Sequence, residues 1–250
     1  MKTLVTTLLF ALLSLGPALI ADAAAVKLRI GVDAGYPPFS YIDDVGVLKG
    51  FDIDIALALC AKMKTVCAFV RQDWEGLIPG LRAGKYDAIV SSMLITEKRW
   101  RLVAFTDKYY SNAVRFVARK GAGFDPSAPA GRTIGVARAT IASDWLEDNI
   151  SGVATTRLFR GQEALLRALV KGEVDAVFGD GLGFWNWLRS PKGARFAFVG
   201  EGYHLDEGVG IAVRKEDGAL LCRLNMAIKA ILAEGIYEKI NARYFPFSIY

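Results

Sequence analysis

From about residue 27 onward, short apolar runs alternate with stretches whose apolar residues fall three and four apart, the signatures of buried strands and amphipathic helices. Strands are predicted over Lys27–Val32, Val66–Arg71 and Tyr86–Val90, with helices over Phe51–Met63 and Trp74–Ala83 between them. This is a βαβαβ run and calls for a parallel sheet. A second run has strands at Thr133–Ala137, Thr155–Phe159 and Val174–Gly179, and helices at Ile141–Asn149, Gln162–Val170 and Gly183–Leu188. Between the runs lie the strand-like Ala113–Ala118 and a Gly/Pro/Ala-rich loop, 121–131. A strand over Val209–Val213 and helices over Gly218–Glu234 and Ile236–Tyr244 follow the second run. The simplest path crosses from one lobe to the other and returns. It assigns residues 26–112 and 206–250 to lobe 1 and 113–205 to lobe 2. Two connecting strands make a hinge, so the cleft between the lobes can close on a ligand.

Residues 1–25 stand apart from this pattern. Lys2, an apolar run from Leu4 to Ile20 and the small residues Ala21-Asp-Ala-Ala-Ala25 match a secretory signal, with cleavage expected before Ala24 or Val26. The run is short for a membrane anchor and is broken by Gly16-Pro17. No cysteine precedes Cys60, which argues against a lipid-modified signal, and no later run is apolar for long enough to span a bilayer. A soluble periplasmic protein is therefore expected. Its net charge of +5 is unchanged by cleavage, because Lys2 and Asp22 leave together. The basic residues are scattered among acidic ones, which argues against nucleic acid as a partner.

Export also bears on the three cysteines. Cys60 ends a predicted helix and Cys67 follows the next turn, so a short-loop disulfide is expected in an oxidising compartment, the alternative being two reduced core thiols. Cys222 is expected as a buried free thiol on the apolar face of its helix. No cysteine pair has metal-ligand spacing and His204 is the sole histidine, so neither metal nor cofactor is expected.

Candidate chemistry gathers where predicted strands end, the edge at which open α/β sheets hold ligands. Asp33 and Tyr36 follow the first strand, Asp73 and Trp74 the second, and Ser91 and Ser92 the third. In lobe 2, Ala139 and Thr140 follow one strand and Asp180 another. Arg99 stands eight residues past Ser91, and its planar fork of donors suits a carboxylate. Thr140 and Asp180 are equally well placed as helix N-caps; the two roles are compatible, because free N–H groups at a helix N-terminus also bind carboxylates.

Several motifs in order carry a family likeness: Asp33-Ala-Gly-Tyr-Pro-Pro-Phe-Ser40, Gly50-Phe-Asp-Ile-Asp54, Trp74-Glu-Gly-Leu-Ile-Pro79, Tyr86-Asp-Ala-Ile-Val-Ser-Ser92 and Ile95-Thr-Glu-Lys-Arg99. With them the chain resembles, over Leu28 to Tyr250, the family 3 extracytoplasmic solute-binding proteins of polar amino-acid ABC transporters. The likeness is greatest to those for lysine/arginine/ornithine and for histidine. It implies a type II two-lobed α/β fold, each lobe a mainly parallel sheet flanked by helices, and a monomer that hands a cationic amino acid to a membrane permease. It further implies that Arg99 and Thr140 hold the α-carboxylate, and that Asp180 and the Ser92 carbonyl hold the α-ammonium. Tyr36 and Trp74 would sandwich the stem, with Asp33 and Ser91 meeting the distal cation.

Leu94 departs from that pattern. Basic amino-acid binders usually carry serine or threonine there, and the lost hydrogen bond to a charged amine would cost about 1.5–3 kcal/mol if nothing replaced it. An opine-type conjugate with a substituted amine is one alternative ligand. Cyclohexadienyl and arogenate dehydratases resemble the same fold, but neither Glu173 nor Glu201 is placed for acid–base work and no nucleophile–base pair is present. A binding protein, not an enzyme, is expected. Sensory domains share the lobe design but are tethered to a membrane segment, and none is expected here.

Overall fold

A computed structural model of the chain describes residues 27–205 and 207–250. The expected export signal, residues 1–25, lies outside the described residues. Among the described residues thirteen strands are formed: β1 (Lys27–Val32), β2 (Gly35–Tyr36), β3 (Ser40–Ile42), β4 (Leu48–Lys49), β5 (Val66–Arg71), β6 (Ala88–Ile89), β7 (Ala104–Phe105), β8 (Val114–Arg119), β9 (Thr133–Ala137), β10 (Thr155–Phe159), β11 (Ala176–Asp180), β12 (Phe196–Tyr203) and β13 (Ala212–Val213). The same described residues form eight α-helices: α1 (Phe51–Lys62), α2 (Leu77–Arg82), α3 (Glu97–Trp100), α4 (Ile141–Ile150), α5 (Gly161–Lys171), α6 (Gly181–Leu188), α7 (Gly218–Ala233) and α8 (Ile236–Tyr244).

Two five-stranded sheets share one plan. The first runs β5-β1-β6-β13-β7 and the second β10-β9-β11-β8-β12. In each, three neighbouring strands are parallel, the fourth position is antiparallel to both its neighbours, and the fifth resumes the first direction. The sheets are thus mixed but mainly parallel. The reversed strand is β8 in one sheet and β13 in the other, the strand that enters each sheet after a crossing. The crossings themselves run side by side and antiparallel, with Tyr110 opposite Val209 and Val114 opposite Tyr203.

Local chemistry fixes the elements that carry the site. Carbonyls of Pro38 and Phe39 accept from the N–H groups of Phe51 and Asp52, so the loop after β1 caps the N-terminus of α1. Gly50 makes this approach possible: its φ is 131°, and a Cβ there would lie 2.1 Å from the Phe39 carbonyl oxygen. Phe39 is fully buried, stacked on Tyr36 at 5.3 Å and on Tyr110 at 5.1 Å, which ties the β1 loop to the first crossing. Inside this layer Asp52 is wholly buried and accepts from the hydroxyls of Tyr109 (2.7 Å) and Ser92 (2.8 Å).

Several expectations need correction. The predicted helix from Trp74 begins as a 3-10 turn, Trp74–Gly76, before α2, and a short helix, α3, for which no helix was predicted, carries Arg99. The predicted strands Tyr86–Val90 and Val209–Val213 are reduced to two residues each. Strands β7 and β12 and the small β2-β3-β4 sheet had no counterpart in the sequence pattern. Cys222 is exposed, not buried. The core face of α7 carries Leu224, Ala227, Ile228 and Ile231, and at 100° per residue a side chain two positions before Leu224 points away from it. Cys60 and Cys67 are joined in a disulfide that ties the end of α1 to β5.

Two predictions follow from this packing. Burial raises the Asp52 carboxyl to about 6 against the two hydroxyl donors, whereas an unfolded aspartate titrates near 3.9. Across about pH 4 to 6 the folded chain therefore holds a proton that the unfolded chain has released, and this group's contribution to stability falls as pH rises through that window. In urea titrations the stability difference between wild type and Asp52→Asn should change by up to about 3 kcal/mol over that range, and a pH-independent difference would contradict the assignment. Replacing both Cys60 and Cys67 by serine should lower stability by about 2.5 kcal/mol from the lost closure of a short loop, measurable in the same titrations.

Candidate ligand-binding site

The carboxyl ends of β1, β5 and β6 in one sheet and of β9, β10 and β11 in the other converge on a single cavity of about 330 Å³. That volume is at the small end of ligand pockets and suits one small molecule. The nine residues expected to touch a ligand, Asp33, Tyr36, Trp74, Ser91, Ser92, Leu94, Arg99, Thr140 and Asp180, all line it, as does Asp73; Ala139, also at a strand end, does not.

Asp33 follows β1. Its backbone N–H donates to the Ser91 hydroxyl at 2.9 Å and its carboxylate accepts from the Gly35 N–H at 3.1 Å. Burial holds its carboxyl above the usual range, opposed by the Gly35 bond and reinforced by the charge of Asp73. Asp180, the last residue of β11, caps α6 by accepting from the Gly183 N–H at 2.7 Å. It also takes the Tyr36 hydroxyl across the cleft, and burial outweighs these bonds in raising its carboxyl. Burial and the Asp180 charge push the Tyr36 phenol well above its ordinary range, so Tyr36 is a donor in this pair. Neither Asp33 nor Asp180 has an ion-pair partner among the described residues.

Ser92 sits at φ 51° after β6, held there by its bond to buried Asp52; Ala139 adopts a similar φ of 58° after β9. Left-handed backbone at non-glycine residues costs about 1–2 kcal/mol and persists only where surroundings impose it. At Ala139 the imposing contact comes from the other lobe, since its carbonyl accepts from Trp74 Nε1 at 2.8 Å. Arg99, in α3, donates to the Leu94 carbonyl at 2.8 Å, and its guanidinium lies 5.1 Å from the centre of the Trp74 ring. Leu94 is itself 9% exposed and bridges Val209 of the second crossing, so an apolar residue of the core fixes Arg99 through its backbone.

Thr140 is more occupied than the resemblance implies. It forms a capping box with Ser143, donating its N–H to the Ser143 hydroxyl at 3.1 Å and its own hydroxyl proton to the Ala137 carbonyl at 2.7 Å. At this end of α4 the cavity also meets Ile141 and Ala142, whose N–H groups precede the first intrahelical bonds. A positive helix end therefore faces the cavity on the α4 side.

Sequence reasoning gave no role to Asp52, nor to several lining residues of lobe 2. Arg160 and Gln162 follow β10 directly, and the strand-end rule that singled out Asp33 and Asp180 would have found them had it been applied to that strand. Arg138 adjoins Ala139 in the same way. Asp52 carried no such signal, since a carboxylate in the first turn of a helix ordinarily serves the helix dipole at the surface.

Comparison with known proteins places this geometry. Residues 28–247 match the bacterial extracellular solute-binding proteins, family 3. An L-arginine-binding protein of Pseudomonas aeruginosa is 44% identical over 237 residues, covering 91% of each chain. The ABC transporter arginine-binding protein 1 of Escherichia coli is 38% identical, over 98% of this chain and all of that one. Among solved structures, a Salmonella typhimurium periplasmic binding protein described for its high arginine specificity superposes with a TM-score of 0.82 at 31% identity, over 88% of this chain and all of that one. The chain belongs to the bacterial extracellular solute-binding proteins of family 3.

Proposed function

We propose that this chain captures a cationic L-amino acid, L-arginine first, in the periplasm and delivers it as a monomer to the permease of an ABC transporter, acting as a receptor without catalysis. The observation that carries this reading is the charge of one small cavity. Among the described residues, five carboxylates and three guanidiniums line it. Asp73 pairs with Arg160, Glu75 with Arg138 and Glu163 with Arg167. Asp33 and Asp180, one on each sheet, have no ion-pair partner among the described residues. A ligand with two cationic groups complements those two carboxylates, and a carboxylate on it suits the guanidinium of Arg99 and the start of α4 on the same cavity wall. The names of the relatives support arginine as that ligand and the periplasm as its compartment.

In this reading the α-carboxylate meets Arg99 and the N–H groups at the start of α4, which takes over the role first expected of the Thr140 N–H and hydroxyl. Asp180 and the Ser92 carbonyl take the α-ammonium, and Leu94 walls that corner without adding an acceptor. The stem lies between Tyr36 and Trp74, whose flat faces suit a planar guanidinium, and Asp33 takes the distal cation beside Ser91.

Calorimetric titration of the mature protein tests the reading: L-arginine should bind at one site per chain, and absence of heat with every basic amino acid would overturn it. Asp33→Asn keeps an acceptor for Gly35 but loses the charge, so it should weaken cationic ligands by about 1.5–3 kcal/mol, roughly 10- to 150-fold, while leaving neutral amino acids unaffected. Arg99→Ala should weaken every α-amino acid by at least that much. Equal losses for cationic and neutral ligands in Asp33→Asn would contradict its role.

Proton linkage gives a second check. Burial raises the carboxyls of Asp33 and Asp180 in the unliganded site, and a bound cation favours their ionised forms. Binding must then release protons at acidic pH, and affinity must fall as pH drops through the range where these groups titrate. Titrations at acidic pH in buffers of different ionisation enthalpy should report net release; net uptake would contradict it.

A further inference from the structure

Asp73, Trp74 and Glu75 are consecutive at the end of β5, and each grips the opposite lobe. Asp73 forms an ion pair with Arg160, Trp74 donates its indole N–H to the Ala139 carbonyl, and Glu75 forms an ion pair with Arg138. The 3-10 turn that starts at Trp74 winds three residues per turn, so successive side chains fan out by about 120°. Trp74 can thus face the cavity while its two neighbours straddle it. A third cross-lobe ion pair, Lys98 with Asp144 at 2.9 Å, joins α3 to α4 nearby.

We propose that Asp73 and Glu75 are positioning residues: by pairing with Arg160 and Arg138 they hold the Trp74 indole in place as a wall of the closed cavity and slow the reopening of the cleft. The assignment of Trp74 as a ligand wall rests on the reading of the site as an amino-acid receptor. The pairs themselves do not.

Both pairs join residues of different lobes, so they exist only when the lobes are together, and their free energy counts toward the closed state alone. All four side chains are substantially exposed, 42% or more, so the pairs contribute little to fold stability and are screened by salt. Their effect belongs in ligand residence time, not in the melting temperature. Trp74 adds a geometric reason for placing them here. Its indole bond holds Ala139 at positive φ, one residue before the cap of α4, so the same contact orients the helix end that faces the cavity.

The test uses the mature protein with L-arginine as probe. In stopped-flow dissociation the double variant Asp73→Asn/Glu75→Gln should release arginine about 3- to 10-fold faster than wild type, with an unchanged melting temperature. Raising NaCl from about 20 mM to about 0.5 M should speed release from wild type more than from the variant. The charge swap Glu75→Arg/Arg138→Glu should recover slow release, where Glu75→Arg alone should not. Release rates within twofold of wild type with the same salt dependence, or no recovery on swapping, would overturn the proposal.

If wild type failed to bind arginine, the receptor reading would fall and the latch would be judged by ligand-free small-angle scattering. The wild-type radius of gyration should grow between the two salt concentrations, while the double variant should show the larger radius at both. Identical radii for the two proteins would overturn the latch.

Discussion

Two carboxylates that line one cavity from opposite sheets, each without an ion-pair partner among the described residues, are the constraint around which the rest of this structure is arranged. Asp33 closes a strand of one sheet and Asp180 a strand of the other, and burial raises both. Such groups are costly unless a cation reaches them. Because one lies in each lobe, a ligand that satisfies both must bridge the lobes, and recognition becomes closure. The donors already on Asp180, from Tyr36 and from the α6 N-terminus, show how the fold holds such a group ready: they fix its position without supplying the full charge that would neutralise it.

Everything near the cleft serves that placement. The β1 loop is tied to α1 by backbone caps at Gly50, and α1 delivers Asp52 into the core, where it holds Ser92. Phe39 stacks Tyr36 against Tyr110 of the first crossing, and Leu94 joins Arg99 to Val209 of the second. Site residues are therefore connected to the hinge through one or two side chains. A change in hinge angle has a short path to the groups that touch ligand.

Much of this was legible in the sequence because strand ends are legible. Asp33, Ser91, Ser92 and Asp180 follow short apolar runs bounded by helical periodicity, and the repeated plan of two such sheets follows from the order of elements. What escaped had physical reasons. Strand β12 contains Gly200 and Gly202 around Glu201, which break the apolar run, and the β2-β3-β4 strands are too short to show any period. Reversal of β8 and β13 depends on how the chain re-enters each sheet from the hinge, which local pattern does not encode. The burial of Cys222 was misjudged because most of α7 is apolar, so its core face is set by α1 and α8 rather than by an obvious stripe. The burial of Asp52 and the pairing of Asp73 and Glu75 with arginines of the other sheet are tertiary relations that no spacing reveals.

L-Citrulline replaces the guanidinium of arginine by a neutral urea of nearly the same shape, and so isolates the charge on which this account depends. Measured side by side by calorimetry on the wild-type protein, arginine should bind at least about 10-fold more tightly than citrulline, since a charged hydrogen-bonded contact at Asp33 is lost with little change in size. Equal affinities would show that the unpaired carboxylates do not select the ligand, and would contradict the account at its centre.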